Sequence, residues 1–324
     1  MPNLAFLADA DLRGGLQDRL QRVETRLAEA VKSSYPFVTE TSTHLVAAGG
    51  KRFRPLMALL CAGFGDPDQD AVYDAATVVE LTHLATLYHD DVMDEAPLRR
   101  GRPSANSRWD NSVAILTGDF LFSRASDILA DLGPDAVRIQ ARTFERLVTG
   151  QIKETVGPAE GEDPVAHHLD VLADKTGSLI ATSAQFGAMF AGCDEMTVET
   201  VTRYGERIGV AFQLADDLVD LTSESAASGK TPGTDLKEGV PTLTTLIALR
   251  GADAHLHDLL SRPLSDAEVA QALGLLRSHP ALTEARAVAR QWADDARACL
   301  VPLPDGPARD ALAAVCDYVV DRTA

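Results

Sequence analysis

The sequence predicts an all-α fold, with residues 1–324 forming one domain. Apolar residues recur at three- and four-residue steps along most of the chain, and no convincing stretch shows the strict alternation of a half-buried strand. The breaks between the periodic segments are too short and too ordinary in composition to be interdomain linkers. The length alone is compatible with one or two domains, so the short connections favour the single domain.

The first predicted helix covers residues 12–31. Its leucines and valines are spaced three or four positions apart, and arginine and glutamate occupy the positions between them. A helix of this pattern buries one apolar face and leaves the opposite face to solvent.

The same period predicts the remaining helices in order. They are expected at 72–95, 111–132, 136–155, 165–191, 195–221, 240–250 and 266–278, and from Thr283 to the C-terminus with a break at Pro302 and Pro304. The connections between helices are rich in Gly, Pro, Asp and Ser, as turns require. They are Gly63–Asp68, Pro97–Pro103, Gly157–Pro164 and Ser228–Gly233.

The charge balance argues against a nucleic-acid partner. The chain has 48 acidic and 30 basic residues, a net charge of −18, so phosphate backbones would be repelled at long range. Any phosphate site must therefore depend on a local group of basic residues.

The cysteines and the apolar segments indicate where in the cell the protein is expected. The four cysteines lie far apart with no CxxC pair, which indicates reduced thiols in a cytoplasmic protein rather than a zinc site or a disulfide framework. We expect no signal peptide, because the N-terminus carries Asp9 and Asp11 early. No apolar run reaches the roughly 18 residues of a spanning helix, so membrane contact is expected to be peripheral at most.

The first candidate site is an aspartate pentad, Asp90-Asp91-Val92-Met93-Asp94, at the end of an apolar run. Asp90 and Asp94 are four residues apart, so on a helix both carboxylates project from one face. Such carboxylates repel unless a cation compensates, and Mg²⁺ bound to substrate phosphates needs only one or two protein carboxylates. A solvated helix end is the alternative for one pentad taken alone.

A second pentad, Asp216-Asp217-Leu218-Val219-Asp220, repeats this spacing in an equally apolar setting. Its neighbours Phe212 and Leu214 indicate a helix that faces the core, where carboxylates at this density need cations. The repetition makes two solvated helix ends a poor explanation.

Basic residues occur where a diphosphate would need them. Arg99 and Arg100 follow the first pentad, and Lys230 follows the second. Further cations lie in Gly49–Pro55 and in Asp174–Gly177, although each of these short motifs alone also suits a loop or a helix cap. Arginine offers a planar fork of donors to phosphate, and lysine a mobile charge.

In the order and approximate spacing of these motifs the chain resembles the polyprenyl diphosphate synthases, or trans-prenyltransferases, over nearly its whole length. It looks most like the long-chain, nonaprenyl-type members of actinobacteria. The resemblance implies an all-α isoprenoid synthase fold around a large central cavity, a homodimer, and two pentads that face each other across the cavity mouth. The residues that carry it are Gly49–Pro55, 83–100, Lys175-Thr176, 212–220, Gly229-Lys230 and Asp235.

The resemblance also assigns roles to individual residues. Direct magnesium ligands are expected at Asp90, Asp94 and Asp216, with Asp91, Asp217 and Asp220 in support. The diphosphate of isopentenyl diphosphate is expected to bind Lys51, Arg54, His83 and Arg100. The allylic diphosphate is expected to bind Arg99, Lys175, Thr176, Gln213 and Lys230. Arg99, Lys175 and Lys230 are thereby expected to act in catalysis together with the three metal ligands.

Helical spacing supports one of these assignments independently. His83 lies seven residues before Asp90, so both lie on one helical face. A core histidine bonded to a backbone carbonyl is the alternative. The neighbouring His89 is interpreted as structural.

The reaction implied by the resemblance needs magnesium, about three ions per active site with substrate bound, and no side-chain nucleophile. Cations draw electrons from the allylic C–O bond, diphosphate leaves, and the double bond of isopentenyl diphosphate attacks the carbocation. The lack of a nucleophile-elbow or Cys/His signature agrees with this chemistry.

The residues before the first pentad bear on product length. Ala85 and Thr86 precede Asp90 by five and four residues, where short-chain relatives tend to place an aromatic floor. Both are small here, which predicts a long-chain product, and an Ala85→Phe change is expected to shorten it. The resemblance implies that this product supplies a quinone side chain. The alternative is that another helix supplies the floor.

Three other functions use some of the same residues. A terpene cyclase shares the first pentad but usually lacks the second, and a non-catalytic subunit of a heteromeric synthase typically loses one pentad. A His-Asp phosphohydrolase could use His89 and Asp90 but leaves Lys51, Arg54 and the second pentad unexplained. The C-terminal four residues contain one basic side chain, Arg322, which argues against a contribution of the tail to closing the site.

Overall fold

The computed structural model describes residues 4–223, 233–251, 254–262 and 264–322, and their regular secondary structure is almost entirely helical. The expected all-α class is confirmed. None of the helices in these ranges is long and apolar enough to cross a membrane.

The helices that begin the chain carry the first candidate site. They are α1 (Ala10–Ala30), α2 (Pro36–Ala47), α3 (Phe53–Ala62), α4 (Asp70–Met93), α5 (Ala105–Arg108), α6 (Asn111–Leu132) and α7 (Pro134–Val156). The long helices α1, α4, α6 and α7 lie within about two residues of their predicted bounds. The short α2, α3 and α5 were not predicted from periodicity.

Two residues each form β1 (Leu98–Arg99) and β2 (Arg102–Pro103), an antiparallel pair that no alternating pattern predicted. Arg100 and Gly101 form the turn between them, and both have positive φ, +53° and +73°. A two-residue turn with positive φ at both positions matches the twist of paired strands. This small hairpin places Arg99 beside the first pentad.

The second half of the chain continues with α8 (Pro164–Leu172), a π-helical segment (Ala173–Gly177) and α9 (Ser178–Phe190). The sequence predicts one helix over 165–191, and the structure interrupts it at Lys175 and Thr176. π-helical segments inside longer helices often mark functional sites.

The remaining helices are α10 (Glu195–Thr222), α11 (Thr234–Glu238), α12 (Leu243–Ala248), α13 (Ala254–Leu260), α14 (Asp266–Ser278), α15 (Pro280–Cys299) and α16 (Pro307–Asp321). The predicted break near Pro302 and Pro304 is confirmed between α15 and α16. The helix predicted at 240–250 is shorter, because Pro241 restricts its start and Thr242 caps α12.

Chain contacts group the residues into two compact units. The first unit contains Met1–Phe144, Leu179–Gly205 and Cys299–Ala314, and the second contains Glu145–Ser178, Glu206–Ala298 and Val315–Ala324. Each unit has its own buried apolar side chains. The buried apolar cluster of the second unit is centred on leucines of α10, α12, α14 and α15. The single domain over 1–324 stays a prediction.

Candidate active site

The first pentad lies at the C-terminal end of α4, where its aspartates have different surroundings. Asp91 has no exposed surface, whereas the side chain of Asp94 is 45% exposed, and Asp90 lies partly exposed on the last turn. The carbonyl end of a helix repels carboxylates. A cation is therefore favoured at Asp90 and Asp94, and Asp91 is left for an internal contact.

Arg99 supplies that internal contact. Its Nε donates to Asp91 Oδ1 at 2.5 Å, and its NH2 lies 3.9 Å from Asp94 Oδ2. Burial raises the pKa of Asp91, and the charge and hydrogen bond of Arg99 oppose that rise. The arginine expected at the allylic diphosphate is thus held by an aspartate of the pentad itself.

Arg100 is directed toward the loop before α3. Its NH1 donates to the backbone carbonyls of Leu45, at 3.2 Å, and of Gly49. Gly50 has φ +147°, and a Cβ there would lie 2.8 Å from Arg100 Cζ. The glycine pair of the sequence motif therefore makes room for this guanidinium.

Arginines surround His83 in the first unit. Burial lowers the pKa of His83 well below its usual 6.5, and the charges of Arg54 and Arg100, followed by Arg52 and Arg99, lower it further. The ring is neutral at pH 7, so it can donate one hydrogen bond to an anion that the guanidinium charges attract. These electrostatics place His83, Arg54 and Arg100 in one neighbourhood, as the sequence predicts.

Arg52 has a different role from the basic residues on either side of it. Its guanidinium is buried and pairs with Glu24 at 2.5 Å and Glu80 at 2.8 Å. These charged bonds, with two backbone carbonyls, satisfy it internally. Lys51, in the loop before α3, and Arg54, in the first turn of α3, remain the candidates for the diphosphate.

The second pentad lies near the end of α10 in the second unit. The exposed fraction is 23% for the side chain of Asp216, 13% for that of Asp217 and 8% for the whole of Asp220. Burial raises the pKa of Asp217 well above its usual value, and the charges of Asp235, Asp216 and Asp220 add to the rise. Asp235 also donates its backbone N–H to Asp220 Oδ2 at 3.3 Å.

A chain of hydrogen bonds joins the π-helical segment to this pentad. Thr176 Oγ1 donates to Gln213 Oε1 at 3.3 Å, and Gln213 Nε2 donates to Asp217 Oδ1 at 2.9 Å. The predicted allylic-site residues Thr176 and Gln213 therefore lie together. Lys175 extends to Glu154 Oε2 on α7. Lys230 lies outside the described residues.

Arg322 contacts the second pentad, a position near the end of the chain that the single basic residue of the tail did not indicate. Its NH2 donates to Asp216 Oδ1, and its Cζ lies 5.2 Å from the ring centroid of Phe212. A contact between residues 106 positions apart in the chain has no local signal in the sequence.

Three further residues of the second unit were also missed as site residues. Glu154 binds Lys175, Asp235 adds a carboxylate near Asp217, and His168 Nε2 lies 4.0 Å from Asp217 Oδ2. His168 is buried, and burial lowers its pKa to about 4. Only Asp235, which is part of the family pattern, had a signal in the sequence.

The donors at both pentads fit magnesium in kind. They are carboxylate oxygens, and Arg322 already places a cation against Asp216. Within the described ranges, no group of three or more His, Cys, Asp and Glu side chains is arranged to hold a metal ion.

The two residues proposed to control product length differ in exposure. Ala85 has no exposed surface, whereas Thr86 is partly exposed and donates Oγ1 to the carbonyl of His83 at 2.8 Å. α6 approaches this part of α4 closely. A Cβ at Gly118 would lie 2.3 Å from His89 Nε2 and 3.1 Å from the Ala85 carbonyl oxygen. Thr86 is thus the more accessible of the two.

Comparisons with known proteins agree with this constellation. The sequence profile of the family Polyprenyl synthetase matches residues 35–276. The nonaprenyl diphosphate synthase of Mycobacterium tuberculosis is 50% identical over 321 residues, which are 98% of this chain and 96% of that protein.

Solved structures give the same result. A geranylgeranyl pyrophosphate synthase from Corynebacterium glutamicum, complexed with calcium and isoprenyl diphosphate, has a TM-score of 0.87 and 43% identity, over 98% of this chain and 99% of that one. A decaprenyl diphosphate synthase from Rhodobacter capsulatus has a TM-score of 0.87 and 33% identity, over 97% and 99%. The chain belongs to the polyprenyl synthetase family.

Proposed function

We propose that this chain is a magnesium-dependent all-trans polyprenyl diphosphate synthase, which condenses isopentenyl diphosphate with an allylic diphosphate in sequential head-to-tail (1′-4) steps. One observation carries the proposal: each pentad lies beside basic or hydrogen-bonding residues suited to a diphosphate. Arg99 adjoins the first pentad, and Thr176 and Gln213 adjoin the second. Membership of the family supports the same reaction.

The residues divide between two diphosphates. Lys51, Arg54, His83 and Arg100 bind the diphosphate of isopentenyl diphosphate, with neutral His83 donating a hydrogen bond among the cations. Arg99, Lys175, Thr176, Gln213 and Lys230 orient the allylic diphosphate. Arg99 is kept in position by Asp91, so its fork is ordered before substrate binds.

Asp90, Asp94 and Asp216 would hold the metal, with Asp91, Asp217 and Asp220 in support. Bound Mg²⁺ supplies charge neutralisation that favours departure of the allylic diphosphate. We expect about three ions per site with substrate bound, since each Mg²⁺ keeps most of its coordination places for phosphate and water.

We assign a long-chain product, of the length used in quinone side chains. Relatives of comparable similarity are named for different chain lengths, so the length must follow from particular residues. Small side chains at Ala85 and Thr86 leave α4 without an aromatic floor above Val79 and Thr82.

The proposed enzyme is a cytoplasmic homodimer. α6 and α7 expose large apolar side chains, which suit contact with a second copy. They are Ile115, Leu116, Val137, Val148, Ile152 and Val156. The four cysteines are free thiols, as expected in a reducing compartment.

The test is incubation with radiolabelled isopentenyl diphosphate, an allylic primer and Mg²⁺. Label in a longer diphosphate is the expected result, with activity abolished by chelation of the metal and strongly reduced by Asp90→Asn or Asp216→Asn. Asp119→Asn, at an exposed acid of α6, is the matched control and should retain activity. Cyclised hydrocarbon, free phosphate or no turnover would indicate a cyclase, a phosphohydrolase or a non-catalytic subunit instead.

A further inference from the structure

The C-terminal arginine is placed to control metal entry at the second pentad. We propose that Arg322 is an internal counter-ion of Asp216 that a divalent cation must displace before Asp216 can bind it. The inference rests on the proposed role of Asp216 as a metal ligand. It adds a residue of this chain that sets the threshold for that binding.

The contact is specific. Arg322 directly follows α16, and its NH2 donates to Asp216 Oδ1. Its Cζ also lies 5.2 Å from the ring centroid of Phe212 and 5.8 Å from that of Tyr318. With 17% of the Arg322 side chain and 23% of the Asp216 side chain exposed, the pair is shielded from much of the solvent screening that weakens surface pairs.

Electrostatics explain why a cation lies there. The carboxylate charges of Asp216, Asp220 and Asp235 all act on Asp217. Four carboxylates so close together repel one another, and Arg322 offsets one negative charge. A metal ion that binds Asp216 would lie within a few ångströms of the guanidinium, and two cations at that distance repel. Arg322 and the metal are therefore competitors for Asp216.

The bonding of Arg322 makes it replaceable. Its NH1 is buried, and within the described part of the chain it has no hydrogen-bond partner. Arg52, by contrast, binds Glu24 and Glu80 and donates to two backbone carbonyls as well. An arginine with an unsatisfied buried donor is poorly suited to a permanent structural role. The carbonyl end of α16 offers an alternative place for the released cation.

The experiment measures Mn²⁺ binding to the full chain without prenyl substrates, from the electron paramagnetic resonance signal of free Mn²⁺. Arg322→Gln should bind Mn²⁺ about threefold to tenfold more tightly than the wild type, since a partly buried ion pair no longer competes. Arg297→Gln, which removes the exposed Arg297–Asp317 pair of the same unit, is the control and should bind as the wild type does.

A second pair of variants tests the route of the effect. Asp216→Asn should weaken Mn²⁺ binding, and adding Arg322→Gln to it should change nothing further, because the competition acts at Asp216. Unchanged or weaker binding by Arg322→Gln would overturn the proposal, as would a gain that persists in the Asp216→Asn background.

Two safeguards keep the result interpretable. Should Arg322→Gln fold poorly, Arg322→Met removes the charge and keeps the long unbranched side chain, and it should bind Mn²⁺ more tightly than the wild type; equal affinity would contradict the proposal. Because no prenyl substrate is present, the outcome is independent of the radiolabel test. If the chain fails to extend isopentenyl diphosphate but shows the Arg322→Gln effect, the proposed activity is refuted and the competition at Asp216 stands.

Discussion

Asp91 differs in its surroundings from Asp90 and Asp94 on either side of it. It has no exposed surface, its Oδ1 accepts from Arg99, and its Oδ2 is buried without a partner among the described residues. Such a carboxylate is costly to bury and is tolerated because it positions a cation. We interpret Asp91 as a positioning residue for Arg99 and leave metal binding to Asp90 and Asp94.

The first prediction tests this interpretation through Asp91→Asn. The isosteric amide should preserve the fold but weaken the hold on Arg99. A hydrogen bond to a charged group is worth about 1.5–3 kcal/mol, so kcat/KM for the allylic diphosphate should fall about 10- to 100-fold. Steady-state kinetics measure kcat/KM, and circular dichroism checks that the fold is preserved. Glu40→Gln, in an exposed pair with Arg108, should change neither, and an unaltered kcat/KM in Asp91→Asn would refute the positioning role.

The second prediction concerns His168 and pH. Burial lowers its pKa from 6.5 to about 4. Between these values the unfolded chain binds a proton and the folded chain does not, so this contribution to stability is full above pH 6.5 and is lost as the pH falls toward 4. The full loss is about 3 kcal/mol, and about 2 kcal/mol is lost by pH 5.

Urea unfolding at pH 7 and pH 5 measures this loss. The wild type should lose about 2 kcal/mol more unfolding free energy between the two pH values than His168→Gln does. His255→Gln, at an exposed histidine of the same unit, should behave as the wild type. Equal pH dependence of wild type and His168→Gln would show that the buried ring does not contribute.

At the scale of elements, the π-helical segment between α8 and α9 is positioned by its contact with α7. A Cβ at Gly150 would lie 2.6 Å from the backbone nitrogen of Lys175 and 3.0 Å from Asp174 Cβ. Only glycine allows the two backbones to approach this closely. Arg146 and Lys153 of α7 add ion pairs to Asp174, at 2.9 Å each. The position of Lys175 and Thr176 therefore depends on α7.

The third prediction is that Gly150→Ala displaces this segment. The clash is with backbone, which cannot swing away, so an overpacking cost of about 1–3 kcal/mol is expected in stability. The KM for the allylic diphosphate should rise, because Lys175 and Thr176 move. Gly14→Ala in α1, with no neighbour within 4 Å, is the control and should leave KM unchanged. An unchanged KM in Gly150→Ala would show that the position of this segment does not affect binding of the allylic diphosphate.

The fourth prediction concerns α4 and product length. Thr86→Phe should shorten the product because a partly exposed position one turn before Asp90 gains a ring. Ala85→Phe is also expected to shorten it, but with a lower melting temperature, since Ala85 is fully buried. Chromatography of dephosphorylated products measures length. Thr86→Val keeps the volume and should keep the product, and an unshortened product in both Phe variants would place the floor on another helix.

At the scale of the whole molecule, the exposed apolar residues of α6 and α7 need an explanation. Ile152 is 57% exposed and Val156 is 78% exposed, and they lie four residues apart on one helical face. Leu116 on α6 is 66% exposed. Large apolar side chains repeated on a helix face are typical of subunit contacts, which agrees with the proposed homodimer.

The fifth prediction is that Ile152→Asp shifts the chain from dimer to monomer, because an ionised carboxylate would be buried unpaired in the contact. Sedimentation equilibrium measures the mass. Val301→Asp makes the same change at an apolar residue that is 69% exposed and lies outside α6 and α7, and it should leave the dimer intact. If Ile152→Asp remains dimeric, the face of α7 that carries Ile152 is not the subunit contact.

The sequence alone determined the all-α class and the long helices, and it located the residues of the candidate site. Helical period and apolar spacing are local properties, so α1, α4, α6 and α7 could be located without tertiary information. The pentads could be found because a spacing of four residues on a helix fixes which carboxylates share a face. The basic motifs could be interpreted as diphosphate-binding only from their order and spacing along the chain.

Tertiary structure alone decided which neighbours these residues have. Arg52 and Arg54 are two residues apart, yet Arg52 is satisfied by Glu24 and Glu80, and Arg54 lies among the charges around His83. The contact of Arg322 with Asp216 spans 106 residues. Ion pairs depend on distance in space and on burial, and neither is encoded in local sequence pattern.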